Sequence, residues 1–178
     1  MKKIIMVAVL ATSLMAADNA DYFGVSAGNS ELKVSIPGAS AKDDGGHISA
    51  TLGHYYEDTS RISVSYTYIR HDDGVDKSDA FSLAYDFILP LAKNRFSIYA
   101  GPVIGYTRYE DNLGVDLSGF HYGAQAGVIV RLIENIEFEA GYRYLKENGS
   151  DTVNVLGTDV DIDADDIKMW YIGANLRF

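Results

Sequence analysis

Hydrophobic and polar residues alternate along most of this chain, and the alternation recurs eight times between clusters of turn-forming residues. A period of two is typical of β-strands, because neighbouring side chains of a strand point to opposite faces. No segment shows a convincing helical period. The pattern predicts eight strands, at residues 22–31, 47–56, 61–70, 79–89, 96–109, 120–132, 136–145 and 167–178. The number of strands becomes ten if the long segment at residues 146–166 contributes two more strands to the same sheet.

The connections between these strands alternate in length. The short ones lie at residues 57–60, 90–94 and 133–135. The long ones are rich in Asp and Gly and lie at residues 34–46, 71–78, 110–119 and 146–166. Short turns at one end and long loops at the other are typical of transmembrane barrels, whose long loops lie outside the cell. We therefore predict an all-β fold, a closed antiparallel up-and-down transmembrane barrel with both termini on the periplasmic side.

The two faces of each strand indicate which side meets lipid. In the third strand, Val64 and Tyr66 alternate with Ser63 and Ser65. A water-soluble barrel would turn its apolar face inward and cover its exterior with Lys and Glu. Here the second face is mostly Gly, Ser, Thr and Tyr, which suits a narrow, crowded lumen. The apolar face is therefore predicted to contact lipid.

Aromatic residues cluster near the predicted strand ends. One group lies near the periplasmic ends, at Phe23, Tyr56, Phe87, Phe96, Phe138 and Phe178. A second group lies near the outer ends, at Tyr68, Phe81, Tyr106, Tyr122, Tyr144 and Trp170. Two such girdles anchor a barrel at the two membrane interfaces. Their positions favour a membrane barrel.

The N-terminus has the features of an export signal. Lys2 and Lys3 precede an apolar run at residues 4–14, and Ala16-Ala17 offers a cleavage point. We predict a cleavable signal peptide at residues 1–16 and a barrel domain at residues 17–178. The chain has no cysteine, which excludes disulfides and thiol catalysis. Its net charge of −10 argues against nucleic acid as a partner.

Strand register can be predicted at the end of the chain. The short turn at residues 133–135 pairs Leu132 with Ile136, and the last two strands pair Ile136 with Phe178. These registers place Glu137 between two arginines inside the lumen, where cross-strand partners make buried charge tolerable. The predicted lumen charge network consists of Arg131, Glu137, Glu139, Arg143 and Arg177.

Glycines on inward positions predict where a bulky lumen side chain fits. Gly127, Gly141 and Gly173 are expected to form a row, with Tyr99 as one candidate to fill the space.

The longest loop is expected to form a hairpin of its own. Gly157-Thr158 suits its turn and pairs Val155 with Val160. A bulge near Asn148-Gly149 would join this hairpin to the strands below it. We therefore expect the last two strands to project beyond the membrane.

The last residues carry the most specific signal. Tyr171, Gly173, Leu176 and Phe178 resemble the C-terminal β-signal of bacterial outer-membrane proteins. That resemblance implies recognition by the barrel-assembly machinery during insertion. The mature chain resembles the small outer-membrane β-barrel families typified by OmpA-like transmembrane domains and OmpX. It implies a place in the outer membrane of a Gram-negative bacterium, and we expect no periplasmic peptidoglycan-binding domain.

Two groups of residues could carry chemistry. His47-Ile-Ser49 resembles the His-x-Ser element of outer-membrane lipid A deacylases, but both side chains are predicted to face the lumen, away from any acyl chain in the membrane. The other histidines, one in a loop and two in strands, lack metal-ligand partners; they are His54, His71 and His121. Alternating aspartates in the last loop could attract divalent cations, although an EF-hand pattern is missing; they are Asp159, Asp161, Asp163, Asp165 and Asp166.

These features predict a non-enzymatic barrel without metal or cofactor and with a structural or surface-interaction role. An eight-stranded barrel is just wide enough for its side chains to fill. The expected partners are outer-membrane lipids, lipopolysaccharide and divalent cations at the acidic loops. One alternative is a narrow porin-like channel, opened by rearranging Arg131, Glu137 and Arg177. A second alternative is a lipid A-modifying enzyme.

Overall fold

The structure is a computed structural model of the chain, and it describes residues 20–36, 39–71, 77–91, 95–110, 118–155 and 158–178. The predicted signal peptide at residues 1–16 lies outside the described residues. In the described part, no helix is long and apolar enough to cross a membrane.

Eight antiparallel strands close into one barrel in simple sequence order, from β1 to β8 and back to β1. Their bounds are Ala20–Ile36, Ala39–Tyr56, Ser60–His71, Lys77–Leu91, Phe96–Glu110, Gly119–Ile133, Ile136–Val155 and Thr158–Arg177. The predicted fold class is confirmed, and the number of strands is eight, since the long last loop extends β7 and β8 and adds no further pair. We call the end that carries Ala20 and Arg177 the terminal end, and the opposite end the loop end.

The two faces of the strands divide as the alternation predicts. Val64 and Tyr66 of β3 are exposed on the exterior, while Ser63, Ser65 and Thr67 are buried in the lumen. Ile172 in β8 and Phe178 directly after it are 71% and 70% exposed. Because large apolar side chains cover the exterior in this way, the barrel is built inside out relative to a water-soluble one.

The register of β6 and β7 is largely the predicted one. Val130 pairs with Phe138 and Arg131 with Glu137, so the prediction of Glu137 opposite an arginine is confirmed. The predicted pairing of Leu132 with Ile136 is wrong, because the ladder shifts after Arg131 and Ile136 pairs with Ile133.

Between β7 and β8 the predicted register is wrong by two residues. Ile136 pairs with Leu176 instead of Phe178, and Glu137 pairs with Asn175 instead of Arg177. A slip of two keeps every side chain on its face, so the alternation alone does not distinguish the two registers.

The β1–β2 and β7–β8 hairpins extend well beyond the other strands at the loop end. The bulge predicted near Asn148-Gly149 is confirmed, since the ladder shifts between Lys146 and Gly149. Above it, Val155 pairs with Thr158 and not with Val160, so the predicted hairpin register is also wrong by two. The last two strands have 20 residues each, against 12 to 15 for β3 to β6, and their projection beyond the membrane stays a prediction.

Consequently the loop end is uneven. The last pairs that β7 makes with β6 and β2 makes with β3 involve Glu147 and Gly45. Beyond these pairs β7, β8, β1 and β2 continue as a four-stranded sheet. We call this extension the projecting sheet.

The β2–β3 connection at the terminal end is a tight turn with a left-handed backbone. Glu57 and Asp58 have φ values of 50° and 54°, and the Thr59 amide donates to the Tyr56 carbonyl at 3.1 Å. These features define a type I′ turn, which favours Asn and Gly at both central positions. Residues with a Cβ cost about 1 kcal/mol or more each in this region. The contacts made by the Asp58 side chain therefore help to offset this backbone cost.

Candidate functional site

The lumen at the terminal end is closed by an ionic cluster. Arg131 Nε and Arg177 Nη1 lie 2.9 and 3.0 Å from Glu137 Oε1. The Tyr55 hydroxyl donates to Glu137 Oε2 at 2.7 Å. Asp58 Oδ1 accepts from the same two arginines, at 3.1 Å from Arg131 and 2.8 Å from Arg177. We call Asp58, Arg131, Glu137, Arg177 and Tyr55 the terminal clamp.

The clamp also affects the acidity of Asp58 in its turn. Partial burial disfavours the charged carboxylate, but the hydrogen bonds from Arg131 and Arg177 outweigh it and lower the pKa of Asp58. The sequence placed Arg131, Glu137 and Arg177 in the lumen but missed Asp58, because nothing local shows that a turn residue reaches across the barrel.

A second ionic group fills the middle of the lumen. Arg61 Nε and Nη1 donate to Asp86 and Glu139, both at 2.8 Å. The Gln125 amide donates to both Asp86 oxygens at 2.9 and 3.0 Å. Its carbonyl oxygen accepts from Arg143 at 2.7 and 3.0 Å. The predicted residues Glu139 and Arg143 are thus linked through Arg61 and Asp86, which the sequence interpretation missed although they pair directly between β3 and β4.

Tyrosines pack against this group where glycines leave room. The Tyr99 and Tyr171 hydroxyls lie 2.5 Å apart, above Gly127 and Gly141. The prediction that Tyr99 fills this space is confirmed. Gly173 does not share the row, because Gly141 pairs with Tyr171. The Arg61 guanidinium lies 4.5 Å from the centre of the Tyr99 ring, which adds a cation–π contact.

A small cavity of about 20 Å³ lies above the Arg61 group. Hydroxyl and basic groups line it, and among them His47 is 6% exposed with no hydrogen-bond partner for Nδ1 in the described structure. Met169 borders the cavity on its other side. We call this cavity the chamber. Its volume is enough for one water molecule.

An apolar layer lies in the loop-end half of the lumen, which the sequence interpretation described as small and polar. Its buried members include Leu32, Ile69, Val103, Leu145, Ile167 and Met169. The signal was available, since Leu145 and Ile167 stand at inward positions of their strands. We call this group the apolar layer.

A hydrogen-bonded chain lies beside the apolar layer. Ser82 Oγ is 3.0 Å from His121 Nε2, and His121 Nδ1 is 2.9 Å from Thr107 Oγ1. Thr107 donates to Glu147 at 2.6 Å, and the Tyr109 hydroxyl donates to the same carboxylate. Ser82, His121 and Glu147 follow the order of nucleophile, base and acid in a hydrolase, with Thr107 between the histidine and the glutamate. Ser82 is only 3% exposed, so a substrate carbonyl has no room at its hydroxyl.

In the described part of the chain, His47 and His54 are not placed in a nucleophile, base and acid arrangement. His47 and Ser49 face the lumen as predicted, and the Ser49 hydroxyl is hydrogen-bonded to the Thr67 hydroxyl at 2.8 Å. His54 lies 2.6 Å from Asp21. His71 was expected in a loop but ends β3.

The acidic loop is only partly described. The side chains of Asp159, Asp161 and Asp163 lie outside the described residues. Asp165 pairs with Lys33 at 3.1 Å, and Asp166 with Lys168 at 3.5 Å. Among the described residues, no group of three acidic or histidine side chains could hold a metal ion.

The residues of the C-terminal signal lie where β8 closes against β1. Leu176 and Phe178 face the exterior, while Tyr171 faces the lumen and Gly173 lies opposite Ser26. The Phe178 amide donates to the Asp21 carbonyl at 2.9 Å, and the Asp21 amide donates back at 3.1 Å.

The fold is similar to solved structures of bacterial outer-membrane proteins. Neisserial surface protein A is 23% identical with a TM-score of 0.62, covering 88% of this chain and 97% of that one. OprH from Pseudomonas aeruginosa is 24% identical with a TM-score of 0.59, covering 89% and 99%. OprG from Pseudomonas aeruginosa is 16% identical with a TM-score of 0.60, covering 90% and 97%.

No curated protein sequence shows a significant match to this chain. The family model described as the outer membrane protein beta-barrel domain matches residues 4–178, nearly the whole chain. The small outer-membrane β-barrel assignment is therefore confirmed, as is the place of the protein in the bacterial outer membrane. The chain belongs to the outer membrane protein β-barrel domain family.

Proposed function

We propose that this protein works at the cell surface as an outer-membrane barrel with a filled lumen, in a structural or surface-interaction role without enzymatic activity. The observation that carries this proposal is the filling of the lumen. Its terminal half contains two ionic groups, and its loop-end half contains the apolar layer. An eight-stranded barrel leaves no diffusion path once its interior side chains pack in this way.

Planar-bilayer recording of the detergent-folded protein tests this proposal. We expect insertion without stepwise conductance, and the heat-modifiable gel shift confirms that the inserted protein is folded. A steady, reproducible conductance step would contradict the proposal and favour a narrow channel. That second candidate is supported by the polar chamber and by the clamp, whose arginines could separate from Glu137.

The projecting sheet is the surface that supports an interaction role. In the described part of the chain, no strand pairs with β7 beyond Glu147 on the side away from β8. In sequence, residues 149–155 of β7 contain one charge and neither Lys nor Pro, the residues that commonly protect an edge. An extended segment of another polypeptide could add to this edge.

Amide hydrogen exchange tests this mode of interaction. With an extended peptide of alternating Lys and Val as the probe, we expect slower exchange at residues 149–155. The variant Val153→Lys should abolish the protection, whereas Ala41→Lys at the β2 edge serves as the matched control. Equal protection by a peptide with N-methylated backbone amides would show charge attraction instead of strand addition.

Lipid partners remain part of the proposal. Charged side chains at the loop end form an exterior row, with Glu31 accepting from Lys42 at 3.1 Å and from Lys168 at 3.2 Å. We expect lipopolysaccharide phosphates, and divalent cations that bridge to them, to contact this row and the acidic loops. During insertion, we expect the barrel-assembly machinery to bind the C-terminal signal.

A further inference from the structure

A polar cavity of about 560 Å³ lies at the loop end of the barrel wall, where the ladders of β8 with β7 and with β1 both shift register. Asp165 is skipped by both ladders, so it and Asp166 line the same cavity, which regular alternation of faces would not allow. We call this cavity the rim cavity, and its lining includes Lys33, Tyr122, Lys146, Asn148, Asp165 and Asp166.

Lys146 is a cation of the rim cavity that lacks a counter-charge. It lies opposite Asp166 in the ladder, but Asp166 pairs with Lys168 at 3.5 Å. The neighbouring Asp165 pairs with Lys33 at 3.1 Å. Within the described part of the chain, Lys146 therefore makes no ion pair, and its ammonium is available to an anionic group from outside.

The remaining acid of the rim cavity does not neutralise this ammonium. Glu147 follows Lys146 in β7 and faces the lumen. Its carboxylate accepts from the Thr107 and Tyr109 hydroxyls there. The rim cavity therefore offers an anion one uncompensated positive charge on its exterior side.

An apolar groove lies next to the rim cavity on the exterior face of the barrel. Tyr142 and Trp170 stand on its loop-end side, with ring centres 4.5 Å apart. On β6, the one exterior position between Tyr122 of the rim cavity and Ala126 of the groove is Ala124, so no large side chain of this strand separates the two. We call this the apolar groove, and its lining includes Ala27, Ala126, Val128, Ala140, Trp170 and Ile172.

The rim cavity and the apolar groove together have the depth of one lipid leaflet. Lys146 and Ala140 are six positions apart on β7, which is about 20 Å of strand. A strand tilt of about 40° reduces this length to a depth of roughly 15 Å. Half of a hydrocarbon core about 30 Å thick has the same depth. In the predicted orientation, with both termini periplasmic, this is the outer leaflet.

We propose that the rim cavity and the apolar groove form one docking site for a phosphorylated glycolipid of the outer leaflet. Its phosphate pairs with the Lys146 ammonium, its sugar hydroxyls bond to Asn148 and Asp165, and one acyl chain lies along Ala126 and Ala140. A water molecule takes about 30 Å³, so the cavity holds much more than a phosphate group and accommodates a sugar ring. This site rests on the surface role proposed above and specifies its lipid partner.

The single tryptophan of the chain reports directly on this site, because Trp170 lines the apolar groove. The protein is reconstituted in bilayers of phosphatidylcholine with dibrominated acyl chains, which quench its fluorescence. Unbrominated lipid A is then mixed in at increasing fractions. A lipid that prefers the groove restores fluorescence beyond its share of the bilayer. We expect lipid A to be preferred over phosphatidylcholine about fivefold or more, since one basic residue at a charged lipid surface contributes that much.

Two changes test the phosphate contact. Lys146→Gln in the protein, or removal of the phosphates from lipid A, should each abolish most of the preference. The matched control is Arg70→Gln, which removes another exposed cation from the loop end of β3, away from the groove. Equal losses with Lys146→Gln and Arg70→Gln would overturn the assignment to Lys146.

A change in the groove tests the acyl contact. Ala126→Phe fills the groove and should lower the preference about tenfold, which corresponds to the loss of about two buried methylene groups. Ala50→Phe adds the same ring at an exposed exterior position of β2 and should leave the preference unchanged. Fluorescence of each variant is normalised to its value in unbrominated lipid. If Ala126→Phe lacks the gel shift of folded protein, Ala126→Leu replaces it.

Two further outcomes would overturn the proposal. Fluorescence that follows the bulk fraction of lipid A would show that the groove has no preference. Equal recovery with phosphatidylglycerol would show attraction by charge alone, without a sugar site. Conductance remains a separate measurement: a conducting barrel would contradict the filled lumen and leave the lipid preference intact, whereas a silent barrel without lipid preference would retain the filled lumen and lose this site.

Discussion

Tyr99 and Tyr171 meet hydroxyl to hydroxyl at 2.5 Å across the inside of the barrel, directly above Gly127 and Gly141. A Cβ at Gly141 would clash with both hydroxyls, since it would lie 2.5 and 2.6 Å from the two oxygens. Two bulky rings can meet here only because two glycines of adjacent strands lie beneath them.

Gly141→Val should therefore destabilise the barrel. Added volume in a packed interior costs about 1–3 kcal/mol, so we expect a lower urea midpoint for the detergent-folded protein. Ala140→Val adds a similar volume one residue away on the exposed exterior and serves as the control. Equal midpoints for the two variants would show that the tyrosines move aside without cost.

Arg61→Met should be the most damaging single change in the lumen. Arg61 and Asp86 are 2% and 0% exposed, and Arg61 also donates to Glu139. Removing one partner of a buried ion pair costs about 3–5 kcal/mol, because the remaining charge is left unpaired. Urea unfolding measures this loss.

The control for that experiment removes the charges together. Adding Asp86→Asn and Glu139→Gln to Arg61→Met should recover part of the lost free energy of unfolding. If the triple variant is less stable than Arg61→Met alone, the unpaired carboxylates do not explain the loss.

Acidification should release the Asp58 ion pairs. The carboxylate faces Arg131 from β6 and Arg177 from β8, with Glu137 beyond them. Since the pKa of Asp58 is lowered in the folded state, its contribution to stability is complete above the ordinary Asp value and is lost as the pH falls through the lowered one. We expect Asp58→Asn to lower the urea midpoint at about pH 7 and to have little effect near pH 2. A pH-independent difference would contradict this assignment.

The C-terminal signal should matter more in cells than in detergent. Phe178→Ser is expected to reduce the folded protein recovered from the outer membrane several-fold, while refolding in detergent changes little. Phe87→Ser is the control, because Phe87 is also an exposed exterior aromatic, 65% exposed, but lies outside the signal. Equal losses for both variants would indicate a general need for exterior aromatics.

The strands and their faces could be predicted because lipid and lumen impose opposite demands on successive residues. Val64 and Ser65 differ by one position, and only one arrangement puts each in a suitable environment. Register is less constrained, since the slip of two that pairs Ile136 with Leu176 satisfies the same demand. For this reason faces were predicted correctly where pairs were not.

The ionic groups show a similar limit. Arg61 and Asp86 pair directly across β3 and β4, so a correct register for those strands identifies them. The contacts of Asp58 cannot be found in this way. They join a turn to strands that are not its neighbours, and only the diameter of the closed barrel brings them together.

The bulge between Lys146 and Gly149 has a consequence for how this protein can change over time. In an uninterrupted strand, inserting one residue would turn every later side chain to the wrong face. At a bulge the extra residue is already tolerated, so the hairpin above it can lengthen or shorten in single steps. The length of this hairpin is thereby free to vary while the lipid-facing strands below the bulge keep their composition.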